Sequence, residues 1–242
     1  MKYQGGTLSL LKGRGVIIAL DIDDAESIRR LVSATSDLDA VTGYKVGFIA
    51  ALTHGLKKTV DLVRSVSDKP IIYDHQKGMT DIPDLGSWYA KILRRSGIDA
   101  AIGFPHSGRD TLVKWVEALR DEGIVPIIGG DMTHEGFLRS GGGYVCDDSP
   151  QRIYEDASAL GVEHYVIPGS KIERALLYAN TISKRIQDPV FLLPGIRGER
   201  DAGNIASHLL PRYKYVHIIV GRAVILSEDP VSAVERIASR MR

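Results

Sequence analysis

The 242-residue sequence contains a single cysteine, Cys146. One cysteine excludes an internal disulfide framework and a metal centre built from several thiolates. Asp147 and Asp148 follow it directly, and neighbouring negative charge disfavours a reactive thiolate. We therefore interpret Cys146 as a structural or incidental residue.

The sequence also lacks long apolar segments and an excess of charge of one sign. No apolar run approaches the length that a membrane-spanning helix needs, and residues 1–15 lack the apolar centre of a signal peptide. The formal net charge is only +1, so no strong field favours nucleic acid or an anionic membrane as a partner. We expect a cytoplasmic protein that binds a small molecule.

What the sequence does contain is a series of short apolar runs rich in β-branched residues. Eight of them can be counted, at residues 16–20, 43–46, 70–73, 99–104, 124–128, 164–167, 190–193 and 216–220. Apolar runs of this length are typical of strands that are buried on both faces of a parallel sheet.

Segments with one apolar stripe at helical spacing lie between these runs, among them residues 24–34, 54–66, 111–121 and 230–241. Strands that alternate with helices indicate βαβ units, and eight units in a chain of this length predict a closed (β/α)₈ barrel. The alternative is a doubly wound open sheet. We favour one barrel domain over residues 1–242, because no strand is followed by a dinucleotide-binding glycine motif and no change in composition marks a second domain.

Charged residues follow the first three predicted strands. In a barrel the carboxyl ends of all strands meet at one mouth, where active sites lie. The acids and lysines at these ends are Asp21, Lys45, Asp74, Lys77 and Asp81. Each acid alone is more often a helix N-cap or a surface ion-pair partner, but together in one pocket such charges stabilise one another as a network.

The ends of the last two strands have a different character. Glycines and arginines occur there, namely Gly195, Arg200, Gly221 and Arg222, and Pro194 precedes the first of them. Glycine lets backbone N–H groups approach a phosphate and arginine binds it through two hydrogen bonds. The loops after strands seven and eight are also the usual phosphate site of this architecture, although a glycine after a strand is more often a plain turn.

The order and spacing of several segments resemble the orotidine 5′-phosphate decarboxylase family along nearly the whole chain. The segments are "ALDID" at 19–23, "YKVG" at 44–47, "YDHQKGMTDIP" at 73–83, "GFP" at 103–105, "DMTHEG" at 131–136, "PGSKIER" at 168–174, "LPGIRGERDAG" at 193–203 and "IIVGRAVILSEDP" at 218–230. The resemblance implies a phosphate-binding barrel that works as a homodimer with shared active sites and that needs no cofactor and no metal.

The resemblance also implies a role for each matching residue. Asp21 and Lys45 match contacts to the ribose hydroxyls and the charged network. Asp74 matches the carboxylate set against the substrate's own carboxylate, Lys77 matches the proton donor, and Asp81 matches the acid that reaches into the neighbouring subunit's site. Thr133 falls near the pyrimidine ring. Pro194, Gly195, Gly221 and Arg222 fall on the phosphate site.

The sequence departs from the family pattern around the lysine. The usual pattern is Asp-x-Lys-x-x-Asp-Ile-Pro, whereas here one residue is added on each side of Lys77. One extra residue in a flat strand reverses the face to which a side chain points, so a bulge or turn must absorb it, and Gly78 could help such a bend. The phosphate loop's customary glutamine is also replaced, with Glu199 or Arg200 nearest, and of these Arg200 is the better phosphate partner.

Two alternatives stay open at this point. One is a magnesium-dependent barrel of the hexulose-6-phosphate synthase or keto-gulonate-6-phosphate decarboxylase type, although Asp-Ile-Pro and Thr133 favour the pyrimidine substrate. The other is a catalytically silent nucleotide-binding barrel, to which the altered spacing around Lys77 points.

Overall fold

The computed structural model describes residues 10–75 and 78–241. In this part of the chain eight parallel strands pair in sequence order and close into a barrel. The strands are β1 (Arg14–Ala19), β2 (Val41–Gly47), β3 (Ile71–Asp74), β4 (Ala100–Gly103), β5 (Val125–Gly129), β6 (His164–Val166), β7 (Val190–Leu193) and β8 (Tyr215–Val220). Each of the eight apolar runs forms one strand, and the predicted (β/α)₈ barrel is confirmed.

Helices follow the strands around the outside of the barrel. They are α1 (Ala25–Thr35), α2 (Phe48–His54), α3 (Leu56–Arg64), α4 (Gly86–Ser96), α5 (Arg109–Asp121), α6 (Ser149–Ala159), α7 (Ile172–Ser183), α8 (Glu199–Leu209), α9 (Arg222–Ile225) and α10 (Pro230–Ser239). Short 3₁₀ turns cover Pro83–Leu85, Glu135–Phe137 and Arg139–Gly141.

The helix predicted over residues 54–66 starts too early. His54 is the last residue of α2, and Gly55 separates α2 from α3 with φ +84 and ψ 136. An L-residue rarely adopts this backbone conformation, whereas glycine adopts it without strain. The apolar stripe predicted the helical face correctly, but it did not reveal the break.

Two apolar layers hold the barrel together. The outward strand side chains pack against the apolar stripes of the helices, and the inward ones fill the barrel interior. The interior layer includes Ile17, Ala19, Ile72, Ile102, Phe104, Ile127, Leu192 and Ile219. Because both faces of every strand are covered, the strands read as continuous apolar runs rather than as an alternating pattern.

Two buried histidines close the amino-terminal end of the barrel. The Nε2 atoms of His164 and His217 lie 2.9 and 2.8 Å from the carbonyl oxygens of Leu10 and Leu11, and Nδ1 of His217 lies 2.9 Å from the hydroxyl of Thr42. A carbonyl only accepts hydrogen bonds, so Nε2 of His217 carries the proton and Nδ1 accepts from Thr42. Burial lowers the pKa of His164, and it lowers that of His217 to about 4.

We predict that His217 makes the protein sensitive to mild acid. The unfolded imidazole takes up a proton near its ordinary pKa of 6.5, and the folded one does so only near 4. The contribution of His217 to the free energy of unfolding is therefore fully present above pH 6.5. It falls by about 3 kcal/mol as the pH drops to 4.

Urea unfolding at a series of pH values measures this effect. In His217→Gln the loss between neutral pH and pH 4.5 should be smaller than in the unsubstituted protein by about 2.5 kcal/mol. His208→Gln, a substitution of the exposed histidine of α8, should leave the pH dependence unchanged. Identical pH dependence in the His217→Gln protein and its parent would refute the assignment.

Candidate active site

The mouth of the barrel holds a lysine between two carboxylates. Lys45 on β2 and Asp74 at the end of β3 are both buried, and Nζ of Lys45 lies 3.0 Å from Oδ2 of Asp74. Asp21, shortly after β1, lies at the rim with its side chain 41% exposed, and its Oδ1 is 3.5 Å from the same ammonium. The structure thus brings together three of the five charged residues that the strand ends contribute.

This arrangement keeps Lys45 charged. Burial alone would lower the pKa of its ammonium, but the carboxylates of Asp74 and Asp21 outweigh burial and raise that pKa above the ordinary 10.5. A cation in a water-poor pocket interacts with other charges far more strongly than it would in water. The site therefore presents a fixed positive charge flanked by negative ones.

The carboxylate of Asp74 has one oxygen to spare. Oδ1 is buried and has no hydrogen-bond partner among the residues that the structure describes, whereas Oδ2 binds Lys45. A buried acceptor without a donor costs about 1–3 kcal/mol, more for a charged group. Oδ1 of Asp74 can thus accept a hydrogen bond from a second donor.

Glycine at position 47 makes the close approach of Asp21 possible. Asp74 pairs with Gly47 in the β2–β3 register, so Gly47 lies at the level of the charged group. A Cβ atom added to Gly47 would overlap Oδ1 of Asp21 and would lie 3.5 Å from Nζ of Lys45. The glycine that ends β2 therefore leaves room for the carboxylate.

Backbone hydrogen bonds of Gly78 hold the chain that follows β3. The Gly78 N–H donates to the His75 carbonyl at 2.6 Å, and the Gly78 carbonyl accepts from the Phe104 N–H at 2.8 Å. Nδ1 of His75 lies 2.7 Å from the hydroxyl of Tyr73. Met79 is buried with φ +67, so the residue in the left-handed region is Met79 and not Gly78.

Gly78 has no room for a larger side chain, because an added Cβ there would lie 2.9 Å from the Ile102 carbonyl oxygen. Gly78 thus allows close approach to β4, and the bulge or turn expected around Lys77 stays a prediction. The predicted proton donor, Lys77, lies outside the described residues, as does Gln76.

The Asp81 segment is fixed by α5. The carbonyl of Asp81 accepts from the Thr111 hydroxyl at 3.0 Å, and the carbonyl of Ile82 accepts from Nε1 of Trp115 at 3.2 Å. Asp81 itself is exposed, and its Oδ1 accepts the Ile82 N–H at 2.7 Å. Among the described residues, Asp81 makes no hydrogen bond or ion pair with Asp21, Lys45 or Asp74.

An exposed apolar surface adjoins Asp81. It consists of Ile82, Leu85, Trp88 and Ile92, of which Trp88 is 61% exposed. The last three follow the helical spacing of α4 and its preceding turn, so they form one stripe. We call the four residues Ile82, Leu85, Trp88 and Ile92 together the α4 stripe. Phe48 and Leu52 of α2 are exposed as well.

The predicted nucleobase and phosphate residues lie on the other side of the mouth. Cγ2 of Thr133 is 2.9 Å from the point where a Cβ on Gly195 would sit, and Gly195 has φ +89. The loop after β5 therefore touches the loop after β7, next to the half-buried Pro194. Glycine at 195 is required both by its backbone conformation and by this contact.

The arginines of the predicted phosphate site are exposed. Arg222 is the first residue of α9, directly after Gly221 at the end of β8, and Arg200 lies in the first turn of α8. The carboxylate of Glu199 is paired with Arg236 at 3.4 Å and Arg240 at 3.2 Å. Glu199 is thus engaged by α10, and Arg200 is the residue at this position that can turn to a ligand.

One buried polar network is not apparent from the sequence pattern. Asp131 follows β5, and its side chain is fully buried and pairs with Arg174 at 2.7 Å and with the Tyr178 hydroxyl at 3.0 Å. Arg174 closes the "PGSKIER" segment, but nothing in its spacing to Asp131, 43 residues away, indicates the pair.

No group of three or more His, Cys, Asp or Glu residues in the described part of the chain has an arrangement that could hold a metal ion. No helix among the described residues is both long and apolar enough to pass through a membrane.

Fold and site together define a class of protein, a (β/α)₈ barrel with a lysine clamped by carboxylates at its mouth. Residues 14–237 match the model of the Orotidine 5′-phosphate decarboxylase / HUMPS family, and the chain belongs to that family. This confirms the resemblance seen in the sequence.

Individual relatives agree with the family assignment. The chain is 27% identical to orotidine 5′-phosphate decarboxylase of Methanosarcina barkeri, with 93% of this chain and 94% of that protein covered. It is 26% identical to the enzyme of the same name from Caulobacter vibrioides, with 93% and 96% covered. The fold matches the crystal structure of orotidine 5′-monophosphate decarboxylase from Methanocaldococcus jannaschii in complex with the inhibitor BMP, with a TM-score of 0.79, 21% identity, and 95% and 99% coverage.

We predict that Lys45 stabilises the folded protein. Lys45→Met leaves the buried carboxylate of Asp74 without its cation, so the free energy of unfolding should fall by about 3–5 kcal/mol. The double variant Lys45→Met/Asp74→Asn should recover part of this loss, because it also removes the unpaired charge. Denaturant unfolding measures both effects.

Lys57→Met is the matched control. It removes an ammonium paired with Asp61 on the surface of α3, where both side chains are exposed, and should change stability by at most about 0.5 kcal/mol. An equally small change for Lys45→Met would show that the buried pair is not needed.

Proposed function

We propose that this protein is a cytoplasmic, homodimeric enzyme that converts orotidine 5′-phosphate to uridine 5′-phosphate and CO₂ without a cofactor, a step of pyrimidine synthesis. The observation that carries the proposal is the buried Lys45 ammonium between Asp74 and Asp21, at the mouth of a barrel of this family. The relatives from Methanosarcina barkeri and Caulobacter vibrioides are named for this reaction.

The chemistry requires a site of this kind. When the C–C bond to the carboxylate breaks, CO₂ leaves and the electron pair stays on a ring carbon, with no cofactor to delocalise it. Fixed charges aimed at that carbon stabilise the developing carbanion. A nearby ammonium then supplies the proton that ends the reaction.

We assign that proton transfer to Lys77. Asp74 has a buried oxygen, Oδ1, without a partner among the described residues, and Lys77 follows it by three positions in the chain. If the Lys77 ammonium bound to Oδ1, each oxygen of the Asp74 carboxylate would pair with one lysine, Oδ1 with Lys77 and Oδ2 with Lys45. The same carboxylate would face the carboxylate of the substrate and favour its departure, a form of ground-state destabilisation.

The rest of the mouth would bind the nucleotide. Asp21 and Lys45 would contact the ribose hydroxyls and Thr133 the pyrimidine ring. The phosphate would be bound by the residues after β7 and β8, namely Pro194, Gly195, Arg200, Gly221 and Arg222. Binding energy from the phosphate, remote from the reacting carbon, can be used to hold the base against the charged group.

A dimer would complete the site with Asp81 of a second protomer. The α4 stripe is contiguous with Asp81, and large exposed apolar residues in one stripe mark an interaction surface. Pairing of two copies through this surface would bury the stripe and place each Asp81 next to its partner's mouth.

The sugar-phosphate alternative fits the family description, but the relatives from Methanosarcina barkeri and Caulobacter vibrioides carry the decarboxylase name. The alternative predicts a requirement for magnesium, whereas the proposed reaction predicts none. Incubation of orotidine 5′-phosphate with the protein in excess chelator, followed by the loss of substrate absorbance, separates the two. Binding of uridine 5′-phosphate without any turnover would select the silent barrel instead.

We predict that Lys77→Ala reduces turnover by at least about 10³-fold, because it removes both the proton donor and a charge near the carbanion. The circular dichroism spectrum should stay close to that of the unsubstituted protein, and the urea midpoint should fall modestly, because Oδ1 of Asp74 would lose its donor. Lys57→Ala, which changes an exposed lysine of α3, should keep full activity. Turnover by Lys77→Ala near the unsubstituted rate would rule out the assignment.

We predict that Arg222→Ala raises KM by about 10- to 100-fold, because a charge-assisted pair with phosphate is lost. Arg212→Ala, a substitution of an exposed arginine after α8, serves as the control. Steady-state kinetics over a wide substrate range provides the measurement. An unchanged KM would remove Arg222 from the phosphate site.

We predict that Trp88→Glu separates the dimer into monomers, because it places a charge in the middle of the α4 stripe. Light scattering after size-exclusion chromatography would show a mass near 26.5 kDa for the variant and twice that for the parent. Leu226→Glu, at another exposed leucine, should leave the dimer intact. A parent protein that is already monomeric would contradict the dimer.

A further inference from the structure

The chain just after β5 is anchored from outside the barrel by α6 and α7. The Gly130 N–H donates to the Tyr154 hydroxyl at 3.0 Å, and that hydroxyl donates to the Val166 carbonyl at 2.7 Å. The rings of Tyr154 and Tyr178 pack with their centroids 4.8 Å apart. The chain after β5, which leads to Thr133, is therefore held by Tyr154, whose ring packs against that of Tyr178.

Asp131 is the centre of this anchor, and both of its carboxylate oxygens are engaged. Oδ2 accepts from Nε of Arg174 at 2.7 Å and from the Tyr178 hydroxyl at 3.0 Å, and Oδ1 accepts from the Met132 N–H at 2.8 Å. Nη2 of Arg174 also donates to the Tyr178 oxygen at 2.6 Å. The side chain of Asp131 is fully buried and that of Arg174 is 34% exposed.

The phenol of Tyr178 remains a donor in this network. Burial raises its pKa, and the carboxylate of Asp131 raises it further, so the O–H is kept at any pH at which the enzyme would work. The two donors from α7 hold the Asp131 carboxylate in one orientation, and Asp131 in turn holds the next backbone N–H.

Two further contacts fix the residues that follow. The Ser170 hydroxyl donates to the Thr133 carbonyl at 3.3 Å, and Nζ of Lys171 donates to the His134 carbonyl at 2.9 Å. The methyl group of Thr133 faces Gly195. Thr133 is only partly buried, so its hydroxyl can bind a ligand.

We propose that Arg174 and Tyr178 are positioning residues, which act through Asp131 to hold the Thr133 hydroxyl at the nucleobase end of the site. This rests on the proposed function, in which Thr133 contacts the pyrimidine ring. A buried ion pair adds little net stability compared with apolar residues of the same shape, and where such pairs fix one geometry they do so for specificity.

The proposal makes a prediction that a purely structural role does not. The network ends at the Met132 N–H, one residue before Thr133, whereas the phosphate residues lie in the loops that follow β7 and β8. Losing the network should therefore weaken binding of a ligand with a base and leave binding of the sugar phosphate alone unchanged. The two ligands to compare are uridine 5′-phosphate and ribose 5-phosphate.

The experiment is calorimetric titration of both ligands into the full chain. Arg174→Met should lower the affinity for uridine 5′-phosphate by about tenfold or more and that for ribose 5-phosphate by less than about twofold. Arg174→Lys should restore part of the loss, because an ammonium can still donate to Asp131. Arg185→Met, at an exposed arginine just after α7, is the matched control and should change neither affinity.

Tyr178→Phe keeps the proposal testable if Arg174→Met does not fold, because it removes one hydroxyl and no charge. It should lower the affinity for uridine 5′-phosphate by about two- to fivefold without affecting ribose 5-phosphate. Equal losses for both ligands, or no loss for either, in a folded variant would overturn the proposal.

Turnover of orotidine 5′-phosphate by the unsubstituted protein is measured beside the titrations. Absence of turnover with intact binding of uridine 5′-phosphate refutes the proposed reaction and leaves the positioning test decisive. Full turnover with unchanged affinities in the variants refutes only the positioning role. A parent protein that binds ribose 5-phosphate but gains nothing from the base refutes both.

Discussion

The interaction on which the rest of the site depends is the ion pair between Lys45 and Asp74, with Asp21 beside it. Removing an ammonium from water is unfavourable, and it is offset here because two carboxylates lie 3.0 and 3.5 Å away. The closed barrel makes this geometry possible, since β1, β2 and β3 are neighbours and their inward residues meet at one level of the mouth. Gly47 supplies the space that Asp21 needs.

The barrel keeps this charged group rigid. Apolar layers inside and outside the sheet hold each strand from both faces, and the amino-terminal end is closed by the contacts of His164 and His217. Two sets of buried polar residues thus lie at opposite ends of the barrel. The set at the amino-terminal end is neutral and hydrogen-bonded. The set at the mouth is charged, and among the described residues Oδ1 of Asp74 has no hydrogen-bond partner.

Much of this could be predicted from the sequence, because the signals are local. The eight apolar runs predicted the strands, and the residues at their ends placed Asp21, Lys45 and Asp74 at the mouth. The break at Gly55 could not be predicted because the apolar stripe continues across it. The left-handed conformation of Met79 could not be predicted because its side chain is buried against Gly103, which is distant in the chain. The Asp131–Arg174 pair joins residues far apart in the chain, and such a pair leaves no periodic pattern. The position of Lys77 lies outside the described residues and stays a prediction.

The most direct test of the account is the titration of the Lys45 ammonium itself, followed by ¹⁵N or ¹³C NMR on selectively labelled protein. If the two carboxylates outweigh burial, the Lys45 signal should titrate only above pH 10.5, the ordinary pKa of a lysine, and Asp74→Asn should lower its midpoint. A Lys45 ammonium that loses its proton well below pH 10.5 in the intact protein would contradict the central claim.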